Sequence, residues 1–284
     1  MNKVFLFPGQ GSQRVGMGKE IYDAFVTARP VFQEVDETLH QNLSRLMFEG
    51  PESELTLTEN AQPALMTASI AIVRILIEDG AMTLPDIAAF VAGHSLGEYS
   101  ALAAAGALSL PDAALLLKRR GEAMQAAVPV GKGKMTAILG LGLDKVVEIA
   151  KTASEDGVCE IANDNAPGQV VLSGQSIPID RAMTLAKEKG AKRALALEVS
   201  APFHCALLQT AADTMAEALE SITIRAPHPP LVANVVAESV DEPLTIQNNG
   251  YSIQVNSNGR SSALMSRKQI QLLQFHFHSQ SEHT

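Results

Sequence analysis

The pentapeptide Gly-His-Ser-Leu-Gly at residues 93–97 restricts the fold of this chain more than any other feature of its sequence. An apolar run, IAAFVA (87–92), precedes it, and LGEYSALAAAGAL (96–108), rich in helix-forming residues, follows it. A strand, a sharp turn and a helix form the setting in which G-x-S-x-G becomes a nucleophile elbow, and the two glycines permit the turn. The motif therefore predicts a parallel α/β sheet with Ser95 at the N-terminus of a helix.

Ser95 is a candidate nucleophile for acyl transfer. Backbone N–H groups and the dipole at a helix N-terminus favour the negative charge that develops during attack on a carbonyl. The backbone N–H of Leu96 is the first oxyanion-hole donor expected of such an elbow. A glycine-serine turn without chemistry is the alternative, and G-x-S-x-G by itself admits lipases, esterases, thioesterases and acyltransferases.

The order of predicted elements favours an α/β protein with a smaller domain inserted into a larger one. Large-domain strands are predicted at 4–7, 87–92 and 231–237, with helices at 16–28, 61–78, 96–108 and 111–127. Small-domain strands are predicted at 135–141, 158–163, 169–174 and 193–199, with helices at 143–154 and 179–190. This β-α-β-β-α-β order is ferredoxin-like. We expect an α/β-hydrolase-like large domain with a parallel sheet and nucleophile elbow at 1–130 and 200–246, and a ferredoxin-like small domain at 131–199.

The segment 247–284 differs in composition from the rest of the chain. It is rich in Gln, Asn and Ser and holds a single acidic residue, Glu282. Because its apolar residues are scattered, the composition predicts a disordered tail. A shifted reading frame, a truncated gene product and a divergent but real tail are the three explanations of this change.

Charge and cysteine content exclude several classes of function. The net charge of −9 argues against a nucleic-acid partner. No apolar run approaches the ~18 residues of a membrane span, and the start of the chain is too short for a signal-peptide core. Cys159 and Cys205 form neither a disulfide framework nor a metal-ligand spacing. We expect a cytoplasmic monomer with no metal and no membrane association.

Five motifs occur in a fixed order along the chain. They are FPGQGSQ (7–13), GHSLGEY (93–99), KRRG (118–121), NDNAPGQVVLSG (163–174) and VSAPFHC (199–205). Together they closely resemble the malonyl-CoA:acyl carrier protein transacylases and the related acyltransferase domains of polyketide and fatty acid synthases. The resemblance covers roughly residues 1–240.

The resemblance implies a ping-pong acyltransferase. Ser95 would take the malonyl group from malonyl-CoA, and the phosphopantetheine thiol of acyl carrier protein would then receive it. The family pattern implies His204 as the general base, oriented by backbone carbonyls, and Gln10 as the second oxyanion-hole donor beside Leu96. No bound cofactor is implied, since malonyl-CoA is a substrate and phosphopantetheine belongs to the carrier.

The resemblance also implies the residues that select the substrate. Arg120 lies 25 residues after Ser95, at the family's spacing for the arginine that binds the malonyl carboxylate, and its planar fork suits that bidentate contact. Its neighbour Arg119 would face another way on a helix. Gln62 and Asn163 match polar positions that line the family's cleft, and ordinary helix and turn residues are the alternative for both.

Three other functions stay open from the sequence. The first is a malonate decarboxylase-associated acyltransferase of the same fold. The second is a thioester hydrolase or esterase, for which an arginine clamp has no role. The third is an inactive remnant that binds CoA or carrier protein, suggested by the unusual C-terminal segment.

A docking surface for the carrier is a further expectation. Acyl carrier proteins are generally acidic, so an acidic chain needs a local basic face to bind one. The candidate residues are Lys132, Lys134, Lys187, Lys189, Lys192 and Arg193.

Overall fold

The computed structural model describes residues 3–129, 131–197, 199, 201–235 and 237–243. In chain order its elements are β1 (Val4–Phe7), α1 (Lys19–Ala24), α2 (Arg29–Leu39), α3 (Leu43–Glu49), α4 (Glu52–Leu55), α5 (Thr58–Glu78), α6 (Leu84–Ile87), β2 (Phe90–Gly93), α7 (Gly97–Ala104), α8 (Leu110–Ala127), β3 (Gly133–Leu139), α9 (Leu143–Ala153), β4 (Cys159–Ala166), β5 (Gln169–Gln175), α10 (Ser176–Glu188), β6 (Arg193–Ala196), α11 (Gln209–Glu220), β7 (Leu231–Val232) and β8 (Ser239–Val240). The predicted tail at 247–284 lies outside the described residues.

The described chain divides into two compact units. The first contains the chain up to Glu122, Glu217–Ala233 and the segment that begins at Ser239. The second contains Ala123–Ala216 and Asn234–Glu238. The domain boundaries expected from the sequence, at residues 130–131 and 199–200, stay a prediction.

A mainly parallel sheet forms the base of the first unit. Its strand order is β1–β2–β7–β8, with β1, β2 and β7 parallel and β8 antiparallel to β7. The central strand β2 is buried at Val91 and Ala92, as expected of a strand covered on both faces. This sheet confirms the predicted α/β fold with parallel strands.

Helix α5 is the longest helix among the described residues. Its 21 residues are long and apolar enough, by length and composition, to cross a membrane, and 61% of its most apolar 18-residue window is buried within the chain. A mostly buried apolar helix is typical of a protein core. Pro63 lies in its second turn, and the helix begins three residues earlier than the predicted 61.

Local backbone signals explain where the structure differs from the predicted elements of this unit. The predicted helix at 16–28 is shorter because Gly16 and Gly18 have positive φ, so α1 begins only at Lys19. The strand predicted at 87–92 begins at Phe90, because a capping box between Thr83 and Asp86 starts the short helix α6. The strand predicted at 231–237 ends at Val232.

The second unit has the predicted element order β-α-β-β-α-β. Its sheet is antiparallel in the order β4–β5–β3–β6. Helices α9 and α10 pack on one face, where the core contains Ile138, Val146, Ile149, Leu172 and Ile179. A second cluster on the other face contains Met124, Met135, Val171, Phe203 and Leu208. The alternation of apolar residues along the strands therefore supplies two cores.

Candidate active site

The turn around Ser95 confirms the strand–turn–helix predicted from the motif. Strand β2 ends at Gly93, helix α7 begins at Gly97, and Ser95 between them has φ 54°. A Cβ added to Gly93 would lie 1.9 Å from the carbonyl carbon of Gly97, so the turn needs glycine there. A left-handed conformation costs a residue with a side chain about 1–2 kcal/mol. Leu96 is the N-cap residue of α7, where backbone N–H groups have no partner within the helix.

The loop after β1 lies directly beside this turn. The backbone N–H of His94 donates to the carbonyl of Phe7 at 3.0 Å. A Cβ added to Gly97 would lie 2.4 Å from that same carbonyl oxygen, and one added to Gly9 would lie 2.4 Å from Nδ1 of His94. His94 therefore packs against the loop. Gln10 donates from Nε2 to Oγ1 of Thr58 at 3.3 Å.

Arg120 lies against the Ser95 side chain. Its guanidinium donates from Nη2 to Oγ of Ser95 at 3.0 Å and from Nη1 to Oε1 of Gln62 at 2.8 Å. The side chain is fully buried, and its Nε has no hydrogen-bond partner in the described part of the chain. Arg119 is instead half exposed and lies 3.8 Å from Glu217. The structure thus brings Ser95, Arg120 and Gln62 together.

The charge of Arg120 is not balanced by an ion pair with any described residue. Burial lowers the pKa of Arg120 below its ordinary value, while Tyr99 and Glu98 on α7 raise it. A guanidinium remains protonated even with a lowered pKa. A buried charge without a carboxylate partner is costly to a folded protein. The guanidinium is therefore suited to bind an anionic group that enters the site.

Close packing between α8 and the start of α5 sets the position of Arg120. A Cβ added to Gly121 would lie 2.4 Å from Cα of Glu59. Lys118 donates to Oε1 of Gln41 at 3.1 Å and to Oδ1 of Asn60 at 3.2 Å. Sequence motifs alone do not indicate a role for Lys118, Gln41 or Asn60. A glycine inside an 18-residue helix costs about 1 kcal/mol relative to alanine. The presence of Gly121 within α8 is therefore the one feature of the sequence that indicates a close contact here.

His204 and Asn163 belong to the second unit, whereas the other candidate site residues belong to the first. His204 is buried and has φ 61°. Asn163 lies on β4 beside an irregularity in its pairing with β5, and its side chain is 5% exposed. Its Nδ2 has no hydrogen-bond partner among the described residues.

The two cysteines are poor candidates for nucleophiles. Burial raises the pKa of Cys159 to about 12 and that of Cys205 to about 11. A thiol attacks as the thiolate, and these thiols stay protonated near neutral pH. The described residues also contain no group of three histidine, cysteine or acidic side chains placed to hold a metal ion.

Comparison with known sequences gives a consistent result. The family model for the acyl transferase domain matches residues 4–273. The malonyl CoA-acyl carrier protein transacylase of Bacillus subtilis strain 168 is 49% identical over 249 residues, which span 87% of this chain and 77% of that protein. The protein of the same name from Escherichia coli K12 is 45% identical over 231 residues, or 81% of this chain and 74% of that one.

Solved structures agree with these sequences. The acyl-carrier-protein-S-malonyltransferase of Bartonella henselae superposes with a TM-score of 0.91 and 47% identity, over 97% of this chain and 85% of that chain. A malonyl-transacylase solved in complex with a type II PKS acyl-carrier protein gives a TM-score of 0.91 and 36% identity, over 98% and 86% of the two chains.

Proposed function

The chain belongs to the family of acyl transferase domains, and from this premise we propose that it transfers a malonyl group from malonyl-CoA to the phosphopantetheine thiol of acyl carrier protein. The observation that carries the proposal is the buried Arg120 guanidinium, hydrogen-bonded to Oγ of Ser95 without a carboxylate partner among the described residues. A nucleophile beside an arginine fork suits an acyl group that ends in a carboxylate. The names of the relatives support the same substrate and acceptor.

In the first half-reaction, Oγ of Ser95 bonds to the thioester carbon and the carbon–sulfur bond to CoA breaks. His204 accepts the hydroxyl proton and delivers it to the departing thiolate. Backbone N–H groups of Leu96 and Gln10 stabilise the negative oxygen of the tetrahedral intermediate. The second half-reaction runs the same steps in reverse, with the carrier thiol as the attacking group.

Arg120 binds the malonyl carboxylate in both half-reactions. Gln62 holds one nitrogen of the guanidinium at 2.8 Å and so fixes the plane of the fork. We propose that the Nε–H group, which has no partner among the described residues, and an N–H group of Nη2 bind the carboxylate as a bidentate pair. The amide of Asn163, whose Nδ2 is buried without a partner among the described residues, supplies a further donor.

We propose the finer features of the fold on the same basis. The parallel sheet and the turn at Ser95 support an α/β-hydrolase-like large domain, extending over 1–130 and 200–246. The strand order β4–β5–β3–β6, with α9 and α10 sharing one core, supports a ferredoxin-like small domain at 131–199. The protein is proposed to work as a cytoplasmic monomer without a bound cofactor.

Intact-protein mass spectrometry after brief exposure to malonyl-CoA tests the proposal. We expect a malonyl adduct that disappears on addition of acyl carrier protein bearing phosphopantetheine, with malonyl-carrier formed in equal amount. The Ser95→Ala variant serves as the control and should form no adduct. An unmodified wild-type protein, or release of free malonate in place of malonyl-carrier, would contradict the proposal.

A further inference from the structure

The segment that carries His204 has a strained backbone. His204 has φ 61°, a left-handed conformation that costs a residue with a side chain about 1–2 kcal/mol. Such conformations persist only where the surrounding structure fixes them. On the N-terminal side, Pro202 packs against Gly133, where an added Cβ would lie 2.2 Å from Cγ of the proline. Cys205 donates from Sγ to the carbonyl of Pro202 at 3.2 Å.

The C-terminal side of the segment is held by Glu160. Its Oε2 accepts a hydrogen bond from the backbone N–H of Ala206 at 2.9 Å. Ala206 is two residues past His204 and begins a short 3₁₀ turn, Ala206–Leu208. Glu160 lies on β4 opposite Ser173 of β5, within a strand pairing that extends from Cys159 to Ala166. The carboxylate therefore connects the strained segment to a sheet.

We propose that Glu160 is a positioning residue for His204. Its carboxylate fixes the backbone next to the base and thereby holds the imidazole in the orientation that proton transfer requires. Glu160 acts through the main chain of Ala206 and does not touch the reacting atoms. The inference rests on the proposed function, in which His204 takes the proton of Ser95.

The surroundings of Glu160 do not favour its charged form. Burial raises the pKa of Glu160 above its ordinary value, although the hydrogen bond from Ala206 lowers it. Folding therefore disfavours the charged form. The thiols of Cys159 and Cys205, which interact with Glu160, stay protonated at neutral pH. They place no charge against the carboxylate, and Ser173 opposite it is neutral.

Single-turnover acylation of Ser95 by malonyl-CoA tests the inference. The variants are Glu160→Ala, which removes the acceptor, and Glu160→Gln, which keeps an acceptor oxygen of the same reach. Glu148→Ala is the matched control, since Glu148 is an exposed acid of the same unit that pairs with Lys189. The rate constant and the fraction of chains that become acylated are measured separately, together with the malonyl-CoA concentration that gives half the maximal rate.

We expect Glu160→Ala to slow acylation ~10- to 100-fold, because a displacement of about 1 Å in a catalytic group can cost that much. The half-saturating malonyl-CoA concentration should not change, and Glu160→Gln and Glu148→Ala should retain most of the rate. A wild-type rate in Glu160→Ala would overturn the inference. So would equal slowing in Glu160→Gln, or a smaller acylated fraction that reacts at the normal rate. A wild-type protein that forms no adduct, or a His204→Ala variant that acylates normally, would overturn the proposed function as well.

Discussion

At the scale of single residues, Arg120 is the side chain whose removal tests most directly how the substrate is selected. Leaving a buried carboxylate unpaired costs ~2–5 kcal/mol. We therefore expect Arg120→Ala to lower kcat/KM for malonyl-CoA by about two orders of magnitude or more. Acetyl-CoA has no carboxylate, so its kcat/KM should fall much less or rise. Steady-state kinetics with both thioesters measure the difference.

Arg119→Ala provides the control for this experiment. Arg119 is adjacent in sequence, half exposed, and lies 3.8 Å from Glu217, and exposed ion pairs contribute little to stability. Its removal should leave both thioester activities unchanged. Equal losses for malonyl-CoA and acetyl-CoA in Arg120→Ala would mean that Arg120 supports the structure and does not select the substrate.

Glu160 gives a prediction about stability and pH. Its pKa is raised above the ordinary 4.5 by burial, so the folded protein binds this proton more tightly than the unfolded chain does. The resulting stabilisation is complete below pH 4.5 and is lost as the pH rises through the raised pKa. Glu160→Gln has no such proton to lose. The free energy of unfolding of this variant should therefore rise relative to wild type as the pH increases from 4.5 towards neutral.

Urea unfolding at a series of pH values measures this effect, with Glu148→Gln as an exposed control. A difference between Glu160→Gln and wild type that does not vary with pH would show that the carboxyl titrates normally. A variant whose stability falls relative to wild type as the pH rises would contradict the assigned direction of the pKa.

At the scale of secondary-structure elements, the approach of α8 to α5 determines where Arg120 lies. Alanine is favoured over glycine by about 1 kcal/mol inside a helix, yet a Cβ at Gly121 would lie 2.4 Å from Cα of Glu59. The nearest atom is backbone and cannot rotate away. We expect Gly121→Ala to lower the free energy of unfolding by about 1–3 kcal/mol and to raise KM for malonyl-CoA, because α8 must move.

Glu122→Ala is the control in the same helix, since Glu122 is exposed and lies 4.0 Å from Lys118. Thermal unfolding and malonyl-CoA kinetics are measured for both variants. If Gly121→Ala is destabilised but its KM is unchanged, the packing of α8 against α5 does not determine the position of Arg120.

The sequence predicts an element well when the residues that determine it all lie within that element. Apolar periodicity predicted α5 and α8 to within three residues at either end, and the G-x-S-x-G motif predicted the turn at Ser95. Five helices were not predicted: α2, α3, α4, α6 and α11. For α6, a local capping box and not periodicity sets the start. The strand expected at 231–237 has only two residues, because apolar character alone does not guarantee a pairing partner.

Sequence patterns do not predict the contacts that hold the site residues in position. Lys118 and Asn60 are 58 residues apart in sequence, and Glu160 and Ala206 are 46 apart. Residues of these types occur on every protein surface, so their sequence context does not reveal a role. Motifs identify groups that the chemistry requires by type, whereas positioning contacts depend on which elements meet in the fold.

At the scale of the whole molecule, the net charge of −9 disfavours approach of an acidic carrier. The structure reduces the number of basic residues that are candidates for binding the carrier. Lys134 lies 2.9 Å from Asp180, and Lys189 lies 3.3 Å from Glu148. Both lysines therefore have a neighbouring negative charge. Lys132, Lys187, Lys192 and Arg193, which are exposed, become the better candidates for contact with the carrier, and Lys187 and Arg193 are tested first.

We expect the double variant Lys187→Glu and Arg193→Glu to raise KM for acyl carrier protein and to weaken its dependence on salt, because steering by opposite charge is lost. Acylation of Ser95 by malonyl-CoA should be unchanged, since Ser95 and Arg120 keep their contacts. The matched control reverses Lys145 and Lys151, exposed residues of α9 in the same unit, and so makes the same change in net charge. If both double variants raise the carrier KM equally, net charge governs the encounter. An effect confined to the Lys187 and Arg193 variant would place the carrier on the surface that contains these two residues.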